Sequence, residues 1–291
     1  METIRTIQGL RSKLAGLRRE RETTVGFMPT LGYMHEGHLS LIRAAKAQDG
    51  IVVLSIFVNP LQFGPNEDFA KYPRDTARDL KMAEEAGVDV AFVPDVEEMY
   101  PTPMRTKVSV SEVSERLCGA SRPGHFDGVA AVVLKLFNIV QPDHAYFGLK
   151  DAQQVAVIEQ MVHDLNVPVK IVPCPTLRES DGLAMSSRNV YLSPEERSQA
   201  PILNRALAEA EEALQNGEVR PEQLRQLVAN RISEASLSDI DYVEVMQYPS
   251  LTPLDPQVTP KQLIVAVAVR FGKTRLIDNR ILDLERMPSH V

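Results

Sequence analysis

Residues 51–58 read IVVLSIFV and close on Asn59-Pro60. A near-continuous apolar run of this kind, stopped by a turn opener, is how a strand buried on both faces of a parallel sheet reads. Strands and helices alternate around it. Upstream come a short apolar run at 24–28, ended by Pro29, and a helix over 37–48. Downstream come a helix over 76–86 stopped by Gly87, a strand over 88–93 stopped by Pro94, and an apolar helix over 128–140. A short strand over 145–147, a helix over 151–165 and a strand over 169–172 ended by Pro173 complete the series. This alternation predicts an α/β fold with a doubly wound, Rossmann-like parallel sheet, whose ligands bind beyond the carboxyl ends of the strands.

The pattern changes after Pro175. Ser193-Pro194-Glu195-Glu196 is a capping box with proline at the first helical position. It predicts one long helix over 195–216 ended by Gly217, then a second helix over 221–234, strands over 242–246 and 263–270, and a further one near 274–277. The expected organisation is a Rossmann-like domain over 1–176 and a smaller α+β domain over 177–291 that closes over the first.

The 32 basic and 39 acidic residues leave a net charge of −7. That balance argues against a broad nucleic-acid or membrane surface, but it leaves room for one local cationic pocket. The two cysteines, Cys118 and Cys174, are far apart and form no CxxC, so a reducing, cytoplasmic setting is expected. The basic N-terminus lacks an apolar stretch of signal-peptide type, and no run is long enough to span a bilayer.

Chemistry-bearing residues gather in the predicted βα loops. Met28-Pro29-Thr30-Leu31-Gly32-Tyr33-Met34-His35-Glu36-Gly37-His38 follows the first strand of the alternation. Histidines at a helix N-terminus can donate to phosphate oxygens that gain charge in a transition state. The spacing is not that of a zinc-binding HExxH, and His35 and His38 could equally just cap the helix. Asn59 and Gln62 offer two-way amides suited to hydroxyl and carboxylate groups, although Asn-Pro is also ordinary turn chemistry. Gly148-Leu149-Lys150-Asp151 places a lysine beside the positive pole of a helix that Asp151 should cap, with Gln154 facing the same cleft. Two positive features converge there without cost only if an anion lies between them. Met185-Ser186-Ser187-Arg188 could wrap a triphosphate or be a polar linker. Arg122-Pro123-Gly124-His125-Phe126 reads as a loop that could be a lid, an interface loop or plain surface, and composition does not rank these. Gly272-Lys273-Thr274 carries the letters that end a P-loop, but Val267 stands where the earlier glycine is required.

Taken in order, MPTLGYMHEGH (28–38), SIFVNPLQF (55–63), RPGHFDGV (122–129), YFGLKDAQQ (146–154) and SSRN (186–189) closely resemble the pantoate–β-alanine ligase family, within the HIGH-motif nucleotidylyltransferases. The resemblance implies an ATP-dependent condensation of pantoate with β-alanine through pantoyl adenylate, releasing AMP and pyrophosphate. It makes the domain over 1–176 the one that binds nucleotide and pantoate, with the domain over 177–291 closing over the ATP site. It implies His35 as the catalytic histidine with His38 as its partner; the charge placed beside the helix pole adds Lys150 as a further catalytic group. ATP contacts are implied for Met28 to His35, His38, Gly148 to Asp151, Leu177 and Met185 to Arg188. Gln62 would touch pantoate and β-alanine, and Gln154 pantoate. Mg²⁺ is expected to arrive with ATP, without a dedicated protein cage and without a tightly bound organic cofactor. The family is typically a cytoplasmic homodimer with small-molecule substrates. A cytidylyltransferase would share HxGH without needing Gln62 and Gln154, and a nucleotide sensor would bind ATP without turnover.

Overall fold

The structure, a computed structural model, describes residues 1–64, 69–217, 220–255 and 260–286. In chain order the first part contains β1 (Glu2–Ile4), α1 (Ile7–Arg21), β2 (Val25–Thr30), α2 (Glu36–Gln48), β3 (Ile51–Ile56) and α3 (Thr76–Glu85). It continues with β4 (Val90–Phe92), α4 (Val96–Met99), α5 (Cys118–Ser121), α6 (His125–Val140), β5 (His144–Gly148), α7 (Ala152–Asp164) and β6 (Lys170–Cys174). The strands form one 6-stranded parallel sheet in the order β1-β4-β3-β2-β5-β6. Every residue of β3 is buried, as its unbroken apolar run requires. Ile51 and Val53 face α1, α6 and α7, whereas Val52 and Leu54 face α2 and α3. Fully burying side chains of this size contributes roughly 1.5–3 kcal/mol each, which fixes β3 in the middle of a two-faced sheet. The chain runs β2-β3-β4 towards one edge and β5-β6 towards the other. The switch point therefore lies between the carboxyl ends of β2 and β5.

The second part holds α8 (Pro194–Gln199), α9 (Ile202–Gln215), α10 (Pro221–Ser233) and the strands β7 (Ser238–Gln247), β8 (Gln262–Phe271) and β9 (Thr274–Asp283). These strands make a 3-stranded antiparallel sheet in the order β7-β8-β9. Alternation along β8 sends Val265, Val267 and Val269 into a core with α9 and α10. It sends Ile264 and Ala266 into the core of the parallel sheet. The smaller sheet thus has one face on its own helices and the other on the larger part.

The fold class matches the sequence expectation; several details differ. The predicted helix over 195–216 is interrupted: Pro201 lacks an N–H and its ring clashes with the preceding turn, so α8 ends and α9 starts afresh. Ser193 and Glu196 do form the expected capping box. At the N-terminus β1 pairs with β4 and α1 is capped by Thr6, elements the polar, basic composition conceals. The helix expected from 128 starts at His125, after Gly124 in a left-handed conformation. Asp151 makes no side-chain capping bond, because Leu149–Asp151 forms a tight turn before α7. Among the described residues no helix is long and apolar enough to cross a membrane.

Candidate active site

A cleft of about 250 Å³ opens at the switch point, between the ends of β2 and β5. The loop leaving β2 turns sharply, with Gly32 at φ 92° and Tyr33 at φ 50°. Such a turn needs glycine at the first position and an external restraint for the second. The restraint is Asp79 of α3. Its Oδ2 accepts from the Tyr33 amide and its Oδ1 from the Met34 amide, both at 2.7 Å. Burial pushes the Asp79 carboxyl above its usual range, while the two amides and Arg78 pull the other way.

The loop delivers His35 to the N-terminus of α2. The His35 amide donates to His38 Nδ1 at 3.2 Å, and the two rings lie 4.1 Å apart. A nitrogen that accepts from an amide carries no proton, so His38 is the Nε2–H tautomer. Burial, then the neighbouring His35 and Lys150, lower the His38 pKa to about 3. Burial, followed by Lys150, lowers that of His35 to about 4. Both imidazoles are therefore neutral near pH 7. Among the described residues, His35 Nδ1 is buried without a hydrogen-bond partner. Gly37 is needed here for packing: a Cβ would lie 2.9 Å from the His35 ring.

Gln62 is fixed from two sides. Asn59 Nδ2 donates to Gln62 Oε1 at 3.2 Å and to the Gly128 carbonyl at 3.1 Å. Asn59 Oδ1 accepts from the Tyr100 hydroxyl at 2.9 Å, and burial raises that phenol to about 12, keeping it a donor. The Gln62 amide NH₂ is thereby left to donate into the cleft. Arg122 donates to His125 Nε2 at 3.0 Å, which places the imidazole proton on Nδ1, 2.8 Å from the Gln62 carbonyl.

Across the cleft, the Lys150 side chain is 17% exposed and its ammonium lies 3.8 Å from Asp151. The turn bearing it is pinned from β9, where Asn279 Nδ2 donates to the Leu149 and Lys150 carbonyls at 2.9 Å each. The Met185 amide donates to the Leu177 carbonyl at 3.0 Å, closing a small loop anchored by an Arg178–Asp278 pair. Ser186 Oγ accepts from the Arg188 amide. No carboxylate among the described residues pairs with the Arg188 guanidinium. Among the described residues, no group of three or more His, Cys, Asp or Glu is gathered to hold a metal ion.

Comparison with known proteins identifies this arrangement. A family model described as pantoate-beta-alanine ligase matches residues 2–281. The pantothenate synthetase of Geobacillus kaustophilus is 55% identical over 286 residues, covering 98% of this chain and 93% of that protein. The chain belongs to the pantoate-beta-alanine ligase family. Solved structures agree: pantothenate synthetase from Thermus thermophilus superposes with a TM-score of 0.89 at 46% identity, covering 96% of this chain and 99% of that one. The pantoate-beta-alanine ligase of Francisella tularensis, in complex with beta-gamma ATP and beta-alanine, gives 0.77 at 33% identity over 97% of both chains. The reaction is the one this family carries out, ATP-dependent ligation of pantoate and β-alanine.

The residues expected from the sequence are brought together unevenly. Pro29, Thr30, Leu31, His35 and His38 line the cleft, as do Gln62 and Gln154. So do Gly148, Lys150, Asp151, Leu177 and Met185 to Arg188. The side chains of Met28 and Met34 are buried in the core between the sheet and α2. Gly32, Tyr33 and Leu149 shape the loops without lining the cleft. Sequence reasoning missed Asp79, and it left Arg122 and His125 without a role. The i+3 spacing of Arg122 and His125 was visible; their shared grip on the Gln62 carbonyl was not. Gln153, beside Gln154, turns inward: its side chain binds the Cys118 amide and the Val113 and Arg116 carbonyls.

The two lowered histidines predict an acid limb in stability. Unfolded imidazoles protonate near 6.5, the folded ones only near 4 and 3. In between, the unfolded state holds more protons, so stability falls as pH drops through that window. Thermal melts should show a falling midpoint below pH 6.5, with a shallower slope for His38→Asn. NMR should show His35 and His38 resonances that do not titrate between pH 7 and 5.

Proposed function

We propose that this cleft adenylates pantoate and then passes the pantoyl group to β-alanine. One observation carries the assignment of roles: neutral His38, Lys150 and Arg188, which no carboxylate among the described residues pairs with, line the same cleft as two amides, Gln62 and Gln154. The nucleophile, a carboxylate, is already ionised, so the site has to position it and offset charge rather than remove a proton. Pantoate lies with its oxygens on Gln62 and Gln154 and its branched carbons on the apolar face of α6, where Val129, Val133 and Leu136 line the cleft. ATP takes Pro29 to Leu31, His35, His38, Gly148 to Asp151, Leu177 and Met185 to Arg188, the loop before His35 being shaped by Met28 and Gly32 to Met34. A carboxylate oxygen attacks the α-phosphorus and pyrophosphate leaves. His38 Nε2–H, His35, Lys150 and Arg188 stabilise the charge on the phosphate oxygens. The amine of β-alanine, held at Gln62, then attacks the acyl carbon and AMP departs. Mg²⁺ would arrive with the triphosphate and offset its charge, and Asp151, the one carboxylate among the described residues lining the cleft, would be the group to hold it. The division at 176/177 separates a part carrying the amides and histidines from a part that closes over ATP with Leu177 and Met185 to Arg188. By the same resemblance the enzyme is a cytoplasmic homodimer.

Oxygen labelling tests the order of steps. Pantoate labelled in its carboxylate should pass one heavy oxygen to AMP and none to pyrophosphate. Pyrophosphate should exchange into ATP with pantoate present and β-alanine absent. ADP with label in inorganic phosphate would rule out an adenylate.

Gln62→Ala and Gln154→Ala should raise the KM for pantoate tenfold or more while leaving ATP affinity nearly unchanged. A substrate oxygen buried without its donor costs about 1–3 kcal/mol. Equal losses for pantoate and ATP would place the amides elsewhere.

A further inference from the structure

A second cavity, of about 950 Å³, continues from the cleft, and Lys150, Asp151 and Arg188 belong to the walls of both. Its far side is the β8–β9 hairpin, where Arg270, Lys273 and Arg275 line it. We propose that Arg270 and Lys273 receive the β- and γ-phosphates of bound ATP and hold the released pyrophosphate. The proposal rests on the ATP site described above and extends it to residues outside the recognised motifs.

Strand geometry puts the charge there. Alternation places Arg270 on the face of β8 that carries Ile264 and Ala266, the face turned towards the parallel sheet. Register places Arg275 directly opposite Arg270 on β9. Like charges in a cross-strand pair are destabilising. Arg275 is offset by Asp241, with Nε–Oδ2 at 2.9 Å and Nη2–Oδ2 at 2.8 Å. Arg270 and Lys273 have no such partner: no carboxylate among the described residues pairs with either. Two carboxylates line the cavity: Asp278 is taken by Arg178, and Asp151 lies 3.8 Å from Lys150. Arg270 and Lys273, both exposed, therefore line an open cavity of an acidic chain of net charge −7 with no carboxylate partner among the described residues. That arrangement suits a ligand of several negative charges.

Size points the same way. The first cleft, about 250 Å³, falls short of the roughly 300–1,000 Å³ that a drug-sized ligand occupies. A nucleoside triphosphate together with a hydroxy acid can extend from this open cleft into the adjoining cavity. The cavity leads from Lys150 and Arg188, which the proposed function sets on the phosphates, to the hairpin. Gly272-Lys273-Thr274 is thus no P-loop: Phe271 pairs with Thr274 and Gly272 turns at φ 56°. Its lysine reaches a phosphate from a hairpin instead of from a helix.

The test is calorimetric binding of ATP, AMP and sodium pyrophosphate to the wild type and to an Arg270→Ala/Lys273→Ala double variant. Thermal melts are run with and without ATP. Binding of ATP and of pyrophosphate should weaken at least tenfold, with AMP unchanged. The ligand-free variant should be as stable as the wild type or more so, because a like-charge pair has gone, while its ATP-induced rise in melting temperature shrinks. Lys273→Arg should retain most of the affinity. Unchanged ATP and pyrophosphate affinities would overturn the proposal, as would an equal loss for AMP. Pyrophosphate weakened with ATP untouched would also overturn it, in favour of a separate anion site. The ligase reading fails on a different result: wild-type protein that makes no AMP from ATP, pantoate and β-alanine.

Discussion

Replacing Lys150 with alanine leaves the fold intact and lowers AMP formation by a hundredfold or more. The backbone of its turn is held by Asn279 rather than by the lysine side chain, so the truncation removes a charge and not a scaffold. The nearest acid, Asp151, is 3.8 Å away and half exposed, too weak a partner to account for a mostly buried ammonium. Losing one preorganised charge contact of this kind costs about 3–4 kcal/mol in the transition state. The same substitution removes a cation that helps hold His35 and His38 neutral, so both imidazoles should titrate at higher pH in the variant. Single-turnover formation of AMP, measured beside a thermal melt, decides the matter. Near-normal turnover would reduce Lys150 to a bystander.

Asp79→Ala should damage both stability and rate, from a residue that touches no substrate. It strands the amides of Tyr33 and Met34, the second of them buried. Each unpaired amide costs about 1–3 kcal/mol, for a total loss of roughly 2–6 kcal/mol. The left-handed Tyr33 loses its restraint, and His35, two residues on, loses its aim. Misplacing a reacting group by about 1 Å can cost on the order of a hundredfold in rate. Asp79→Asn keeps one acceptor and should fall between the two. Denaturant midpoints and turnover per folded molecule separate the effects. Stability lost with turnover per folded molecule retained would show that the loop needs Asp79 only to fold.

What could be read in the sequence follows from where the signal lies. β3 was legible because burial on both faces leaves an unbroken apolar run. β1 was not, since only Ile4 of its three residues is buried. The helix break at Pro201 was visible but outweighed by the apolar periodicity on either side. Within the site, the motif loops were legible because doubly wound sheets concentrate ligand contacts in βα loops. Asp79 sits in the first turn of α3, far along the chain from the loop it clamps, and reads as an ordinary helix-start carboxylate. Gln153 and Gln154 are the same letter twice; a single step around α7 decides which is scaffold and which meets substrate.

Asn279 lies in the last strand of the described chain, and its amide spans to the turn that carries Lys150. During synthesis the histidines, the amides and the lysine all leave the ribosome well before it. A nascent chain halted short of β9 would own every recognisable motif and still lack the brace that sets its lysine. Synthesis of β9 thus acts as a checkpoint on activity. Nonsense mutations just ahead of β9 should be as silencing as those in the signature loops, although they erase none of the letters by which the enzyme is recognised.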